Sequence, residues 1–229
     1  MTQLTNKTKT IWLLTPIFGT IIFVVLYVVA TLLYPGGSQV DKNSIGFSWT
    51  NNYWCNLLNE NAINGQHNPA KPVAITGMFV LCLTLSFFWF LFPININLDK
   101  KLKLAIQISG TIAMTIAFFL FTNINHDLVI NLAAFFGGIA TAGTFFGLYK
   151  TKWFGLLAFG LFNILLVGLN NYVYHTKGLI IYLPVIQKIT FSTFLMWVCC
   201  TLPEDFHKRL VISYLYIYPS GKNRDTLLP

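Results

Sequence analysis

The sequence predicts an all-α fold, a polytopic membrane helix bundle of six transmembrane helices with the N- and C-termini cytoplasmic. Three observations carry this. Only 10% of the 229 residues are charged while 55% are hydrophobic, against roughly a quarter charged in a soluble domain, so lipid is the expected solvent. The apolar residues gather into six runs, each close to the roughly 20 residues that cross about 30 Å of hydrocarbon at 1.5 Å per residue. The basic residues fall in short clusters between these runs and not along one amphipathic face, so the net charge of +8 reports topology, and nucleic acid is not an expected partner.

The first run, 11–34, follows Lys7 and Lys9. It is too long for a signal peptide and has no polar cleavage region, so it is read as a retained span. A loop over 35–72 comes next, opened by Pro35, Gly36 and Gly37 and closed by Asn68, Pro69, Ala70, Lys71 and Pro72, breakers that bracket a separate element. Within it, Ser48 is positioned to cap a short amphipathic helix. Trp49, Tyr53, Trp54, Leu57 and Leu58 share its apolar face, and Asn51, Asn52, Asn56 and Asn59 share the other. Such a helix would lie flat on the outer ends of the spans.

The remaining spans are 73–93, 103–122, 128–149, 153–174 and 179–201. The turn Lys150–Lys152 is short enough to make spans four and five antiparallel neighbours. Span four carries Ala134, Gly137, Gly138, Thr141, Ala142, Gly143, Thr144 and Gly147. Small residues let helix backbones approach, inside the bundle first, with a homo-oligomer contact through Gly143 and Gly147 or a cavity wall as the alternatives. The tail, 202–229, is read as cytoplasmic, with the apolar stretch 210–218 resting at the inner interface. The two trios of spans show no internal repeat, which weighs against a transporter built on inverted halves.

Orientation follows from the excess of Lys and Arg in cytoplasmic connections. With the N-terminus inside, the inner segments hold Lys7, Lys9, Lys100, Lys101, Lys103, Lys150, Lys152, Lys208, Arg209, Lys222 and Arg224, eleven in all, and the outer segments only Lys42, Lys71 and Lys177. The expected location is a cell inner (plasma) membrane, as a multi-pass protein. Four scattered cysteines, Cys55, Cys82, Cys199 and Cys200, make no disulfide framework.

Two groups of residues carry possible chemistry. The fifteenth basic residue, Lys188, lies within span six, nine residues or roughly 14 Å from Leu179, a depth at which a charge needs a partner or water. One reading turns Lys188 and Gln187 inward with Asn163 of span five to form the polar floor of a cavity. The other has Lys188 snorkel, or bond backbone carbonyls loosened by Pro184. On the outer side, His126 and Asp127 open span four, His175 ends span five and His67 ends the first loop. No two of these are spaced to place two ligands on one helix face, and Asp127 suits the positive end of a helix dipole. No metal or other cofactor is expected, and no nucleophile turn, phosphate-binding glycine loop or His-Glu-x-x-His is present.

The stretch Asn52-Tyr53-Trp54-Cys55-Asn56-Leu57-Leu58, then Asn68-Pro69-Ala70 leading into span two and His126-Asp127 opening span four, resembles a bacterial six-span membrane family filed under a domain of unknown function. It is more distantly similar to the DRAM, Frag and Sfk group of eukaryotic membrane proteins. That resemblance implies a lipid-related role. The functional expectation is therefore a non-enzymatic protein that binds or senses a membrane lipid or small amphiphile in a cavity facing the outer leaflet. Lys188, Gln187 and Asn163 would be its floor, and Trp49, Tyr53 and Trp54 its lid. The rivals are a lipid head-group hydrolase using His126, Asp127, His175 and His67, and a small-solute transporter.

Overall fold

A backbone surrounded by hydrocarbon must satisfy its N–H and C=O groups within the segment, and each apolar run does so as a helix. The computed structural model describes residues 2–119 and 126–201, with side chains for 14–119 and 128–201. The helices are α1 (Thr2–Leu33), α2 (Lys71–Leu91), α3 (Lys100–Phe118), α4 (His126–Lys150), α5 (Phe154–His175) and α6 (Leu183–Cys200). All six are long and apolar enough to cross a membrane, the layout of a multi-pass membrane protein. No β-strand occurs among the described residues, only two isolated bridges. The apolar stretch 210–218 lies outside them.

Local chemistry sets the ends. Asp99 caps α3, its carboxylate accepting from the Leu102 N–H at 3.1 Å. Pro72 and Pro184 occupy the first turns of α2 and α6, where no intrahelical donor is lost. Span six therefore starts its α-helix at Leu183, behind a 3₁₀ turn over Ile180–Tyr182, four residues later than the apolar run suggests. Between α4 and α5 the Trp153 N–H bonds Leu148 O at 2.9 Å and Lys152 takes φ +61°, the left-handed conformation that closes a Schellman turn. A side chain is disfavoured there, so Lys152→Gly should raise stability by about 1 kcal/mol. A thermal melt of the detergent-solubilised protein checks this; a fall in midpoint would contradict the assigned turn.

Helices α1 to α4 pack in sequence, each closely on the next, and α5 pairs with α6. Gly143 and Gly147 are used within this bundle. A Cβ at Gly143 would stand 2.5 Å from Ile106 of α3, and one at Gly147 would touch Leu98, Phe92 and Ile96. The surface assigned to a possible homo-oligomer contact is thus covered by the chain's own residues. The two groups of helices meet at Trp197 of α6, which is buried. Its ring packs edge-on with Phe88 of α2 and Phe145 of α4, and its Nε1 donates to Leu156 O of α5 at 2.8 Å.

The first loop departs from expectation. Instead of an amphipathic α-helix from Ser48, it forms a turn at Ser48, an extended Tyr53 and a single 3₁₀ turn over Trp54–Leu58. The asparagines are the reason, since short amide side chains compete with the helix for backbone groups. Asn56 accepts from Tyr53 N at 2.7 Å. Asn52 accepts from Ser48 N and donates to Gly37 O, both at 2.8 Å. Asn68 donates to Asn56, Leu57 and Asn59 carbonyls at 3.3, 3.1 and 2.9 Å. Asn52, Asn56 and Asn68 are consequently buried and do not form an outward polar face. Gly37, at φ +83°, lets the chain pass against the backbone of Asn64, where a Cβ would stand 2.4 Å from its nitrogen.

Candidate functional site

Two seams separate the α5–α6 hairpin from the other four helices, and they are built differently. At the seam between α6 and α1, the first loop enters. Trp54 inserts its indole among Phe23, Tyr27 and Phe191, with ring centres 6.0, 5.2 and 5.1 Å away. Lys188 completes that seam. Its ammonium donates to the backbone carbonyls of Asn52 and of Pro184, the latter at 3.1 Å, and lies 5.6 Å from the Phe47 ring centre. It sits five residues into α6, roughly 8 Å from the helix start, and its side chain leans back towards that start as helical side chains do. The carbonyl-bonding reading of Lys188 is the one the geometry matches, with a second acceptor contributed by the loop.

At the other seam, α4 and α5 pack together over a short stretch near their shared turn, where Gly160 makes room for Phe145. Beyond it lies a cleft of ≈ 580 Å³, within the range of small-molecule sites. One wall is Ile130, Thr141 and Phe145 of α4. The other is formed by Asn163, Ile164, Val167, Asn170, Asn171 and Tyr174 of α5 together with Leu183, Gln187, Thr190, Phe191, Phe194 and Trp197 of α6. Ile164 and Val167 are 49% and 47% exposed while lining it, so the cleft opens sideways between helices. Gly138 lies three and seven residues before Thr141 and Phe145, on the same face of α4, and a Cβ there would meet nothing within 4 Å.

Polarity is graded along the cleft. At its deep end Asn163 is buried but spoken for, donating to Phe159 O and accepting from the Thr193 hydroxyl, both at 2.9 Å. Around it stand Phe145, Ile164, Phe194 and Trp197. Towards the end where the first loop lies, Asn170 donates to Leu166 O at 2.9 Å and to the Thr190 hydroxyl, and Asn171 to Val167 O at 3.1 Å. Gln187 is different. Its Oε1 is buried without a hydrogen-bond partner among the described residues. No charged residue lines the cleft.

The residues expected to form one site are thus divided by α6. Gln187 and Asn163 line the cleft, whereas Lys188 and Trp54 belong to the opposite seam, where Trp54 packs against the back of the cleft-lining Phe191. Trp49 is half exposed and packs edge-on against Phe47 at 5.6 Å, away from the cleft lining. Tyr53 is near the mouth: burial first, then Cys55 and Tyr174, pushes its phenol above the usual range. Through Trp54 and Lys188 the loop is a plug of the α1–α6 seam, and of the three expected lid residues Tyr53 alone stands towards the cleft. Compared with known protein families, curated proteins and solved structures, the chain matches none.

His67 and His175, expected on the outer face, do not line the cleft. His67 is exposed and bridges to Asn61 in the first loop. Nearby, the Lys71 hydrogen bond and charge hold the Glu60 carboxyl below its ordinary range. His175 stands edge-on to Tyr174 at 5.0 Å. The side chains of His126 and Asp127 lie outside the described residues. Among the described residues no three His, Cys, Asp or Glu side chains gather to hold a metal ion. Asn170 and Thr190 were not singled out from sequence as cleft residues, whereas Thr141 belongs to the small-residue stripe of span four for which a cavity wall was one expectation. The available signal was the seven-residue spacing of Asn163 and Asn170, which puts two amides on one face of span five.

Proposed function

We propose that this protein is a non-enzymatic membrane protein that binds a lipid or small amphiphile in the cleft between α4 and the α5–α6 hairpin. The observation that carries the reading is the cleft itself, open to the side and uncharged, with its unpaired amide at one end and its aromatic residues at the other. A molecule dissolved in the bilayer can enter such a cleft without crossing water. Its chain would lie against Phe145, Phe194 and Trp197 and its polar end beside Gln187, Asn170 and Asn171. From Gly160 to Tyr174 the cleft follows fifteen residues of α5, a rise of roughly 21 Å, longer than the roughly 15 Å of hydrocarbon in one leaflet. The eleven-to-three distribution of basic residues supports an inner (plasma) membrane orientation in which the first loop and the polar end of the cleft face outward.

The test fills the cleft from a position that has room. Gly138→Phe adds a ring where nothing lies within 4 Å of the new Cβ, so the fold should hold while the site is blocked. In native mass spectrometry of the full chain in detergent with methyl oleate, the wild type should retain one molecule. The variant should bind at least tenfold more weakly, about 1.4 kcal/mol. Equal retention by both would overturn the cleft as the binding site.

A further inference from the structure

The amide of Gln187 says what kind of head group the cleft takes, an inference that rests on the binding function proposed above. Every other amide on the α5–α6 wall donates its NH2 group within the protein: Asn163 to Phe159 O, with its oxygen accepting from Thr193, Asn170 to Leu166 O and the Thr190 hydroxyl, and Asn171 to Val167 O. Gln187, on the same wall, has a buried oxygen with no partner and no side-chain hydrogen bond to any described residue. A buried polar group left unpaired is costly, so a side-chain amide that lines a ligand-sized cleft with no protein partner is where a ligand completes the bonding. The terminal torsion of a glutamine is broad and two-fold, so either end of the amide can be turned to the cleft.

We infer that the ligand is a single-chain neutral amphiphile with a hydroxyl head group, held by Gln187. A hydroxyl both donates and accepts, and therefore satisfies the amide in either orientation. An ester without a hydroxyl only accepts. A carboxylate would need a cation, and Lys188, one residue away in sequence, points into the other seam, where Asn52 and Pro184 hold it. Isolated anions in an uncharged, water-poor cleft are strongly disfavoured. The cleft therefore selects against fatty acids and for alcohols of the same chain.

Three probes with one oleoyl chain separate these heads: glycerol monooleate (hydroxyls), methyl oleate (acceptor only) and oleate (anion). By native mass spectrometry of the full chain, glycerol monooleate should bind about tenfold more tightly than methyl oleate, and oleate most weakly. Gln187→Leu should bring glycerol monooleate down to the methyl oleate level and leave methyl oleate itself unchanged. If glycerol monooleate and methyl oleate bind alike, or the preference survives Gln187→Leu, the head-group assignment fails while the cleft stands. Tightest binding by oleate also overturns it. If no probe is retained, or Gly138→Phe fails to displace methyl oleate, the cleft reading fails and takes this inference with it.

Discussion

Replacing Trp54 by alanine is expected to cost about 3 kcal/mol and to open the seam between α1 and α6. The magnitude follows from truncating a large aromatic side chain that other rings enclose, a change worth 3–5 kcal/mol when burial is complete; Trp54 is half-buried, so the low end applies. Its indole stands between Phe23 and Tyr27 of α1 and Phe191 of α6. Helices in lipid gain little from hydrophobic transfer against one another, so packing of this kind is what holds a seam closed. Unfolding in mixed micelles by added dodecyl sulfate would measure the loss. Trp54→Phe, which keeps a ring, should lose less than half as much, and equal losses for the two variants would show that ring packing is not what Trp54 contributes.

The same substitution reaches the cleft through one side chain. Phe191 carries Trp54 on one side and lines the cleft on the other, so the plug sets how far that wall can move. With Trp54 gone, the ring of Phe191 has space behind it, and the cleft becomes wider and less selective among chains. The two seams are thus mechanically joined at Phe191, although they share no polar residue.

How much of this could be read from sequence depended on which physical effect was deciding. The six spans were legible because run length against bilayer thickness leaves little choice, and each helix lies within a few residues of its expected limits save at the N-terminus, where α1 already begins at Thr2. The loop was not, since the apolar spacing of Trp49, Tyr53, Trp54, Leu57 and Leu58 imitates a helix. The contrary signal was Asn51, Asn52, Asn56 and Asn59, four poor helix formers within nine residues. In the small-residue run of span four, Gly138 and Gly143 are five residues, or roughly 140°, apart around the helix. One faces open space and the other Ile106, a distinction that depends on where α3 and α5 lie. Of the residues expected to form one floor, Gln187 and Asn163 both line the cleft, towards its opposite ends. Lys188 was joined to them wrongly, because neighbours in a helix sequence point about 100° apart. Its principal partner is a backbone carbonyl 136 positions away, which has no residue type to betray it.

Lys188→Met is accordingly expected to cost about 2 kcal/mol and to leave cleft binding unchanged. Methionine keeps most of the apolar stem and removes the ammonium, so the loss isolates the hydrogen bond to Asn52 O. Asn52 is fully buried, and its carbonyl, deprived of that donor, carries the roughly 1–3 kcal/mol penalty of an unpaired buried group. The Pro184 carbonyl is less affected, since the helix ladder supplies it with a backbone donor. Hydrogen exchange should accelerate over residues 48–58 while the amides of α5 keep their protection, because the loop is pinned by this contact and α5 is not. Methyl oleate retention should stay within twofold of wild type. A tenfold loss of retention with loop protection intact would return Lys188 to the binding site, since an ammonium that matters to the ligand and not to the loop cannot be the pin described here.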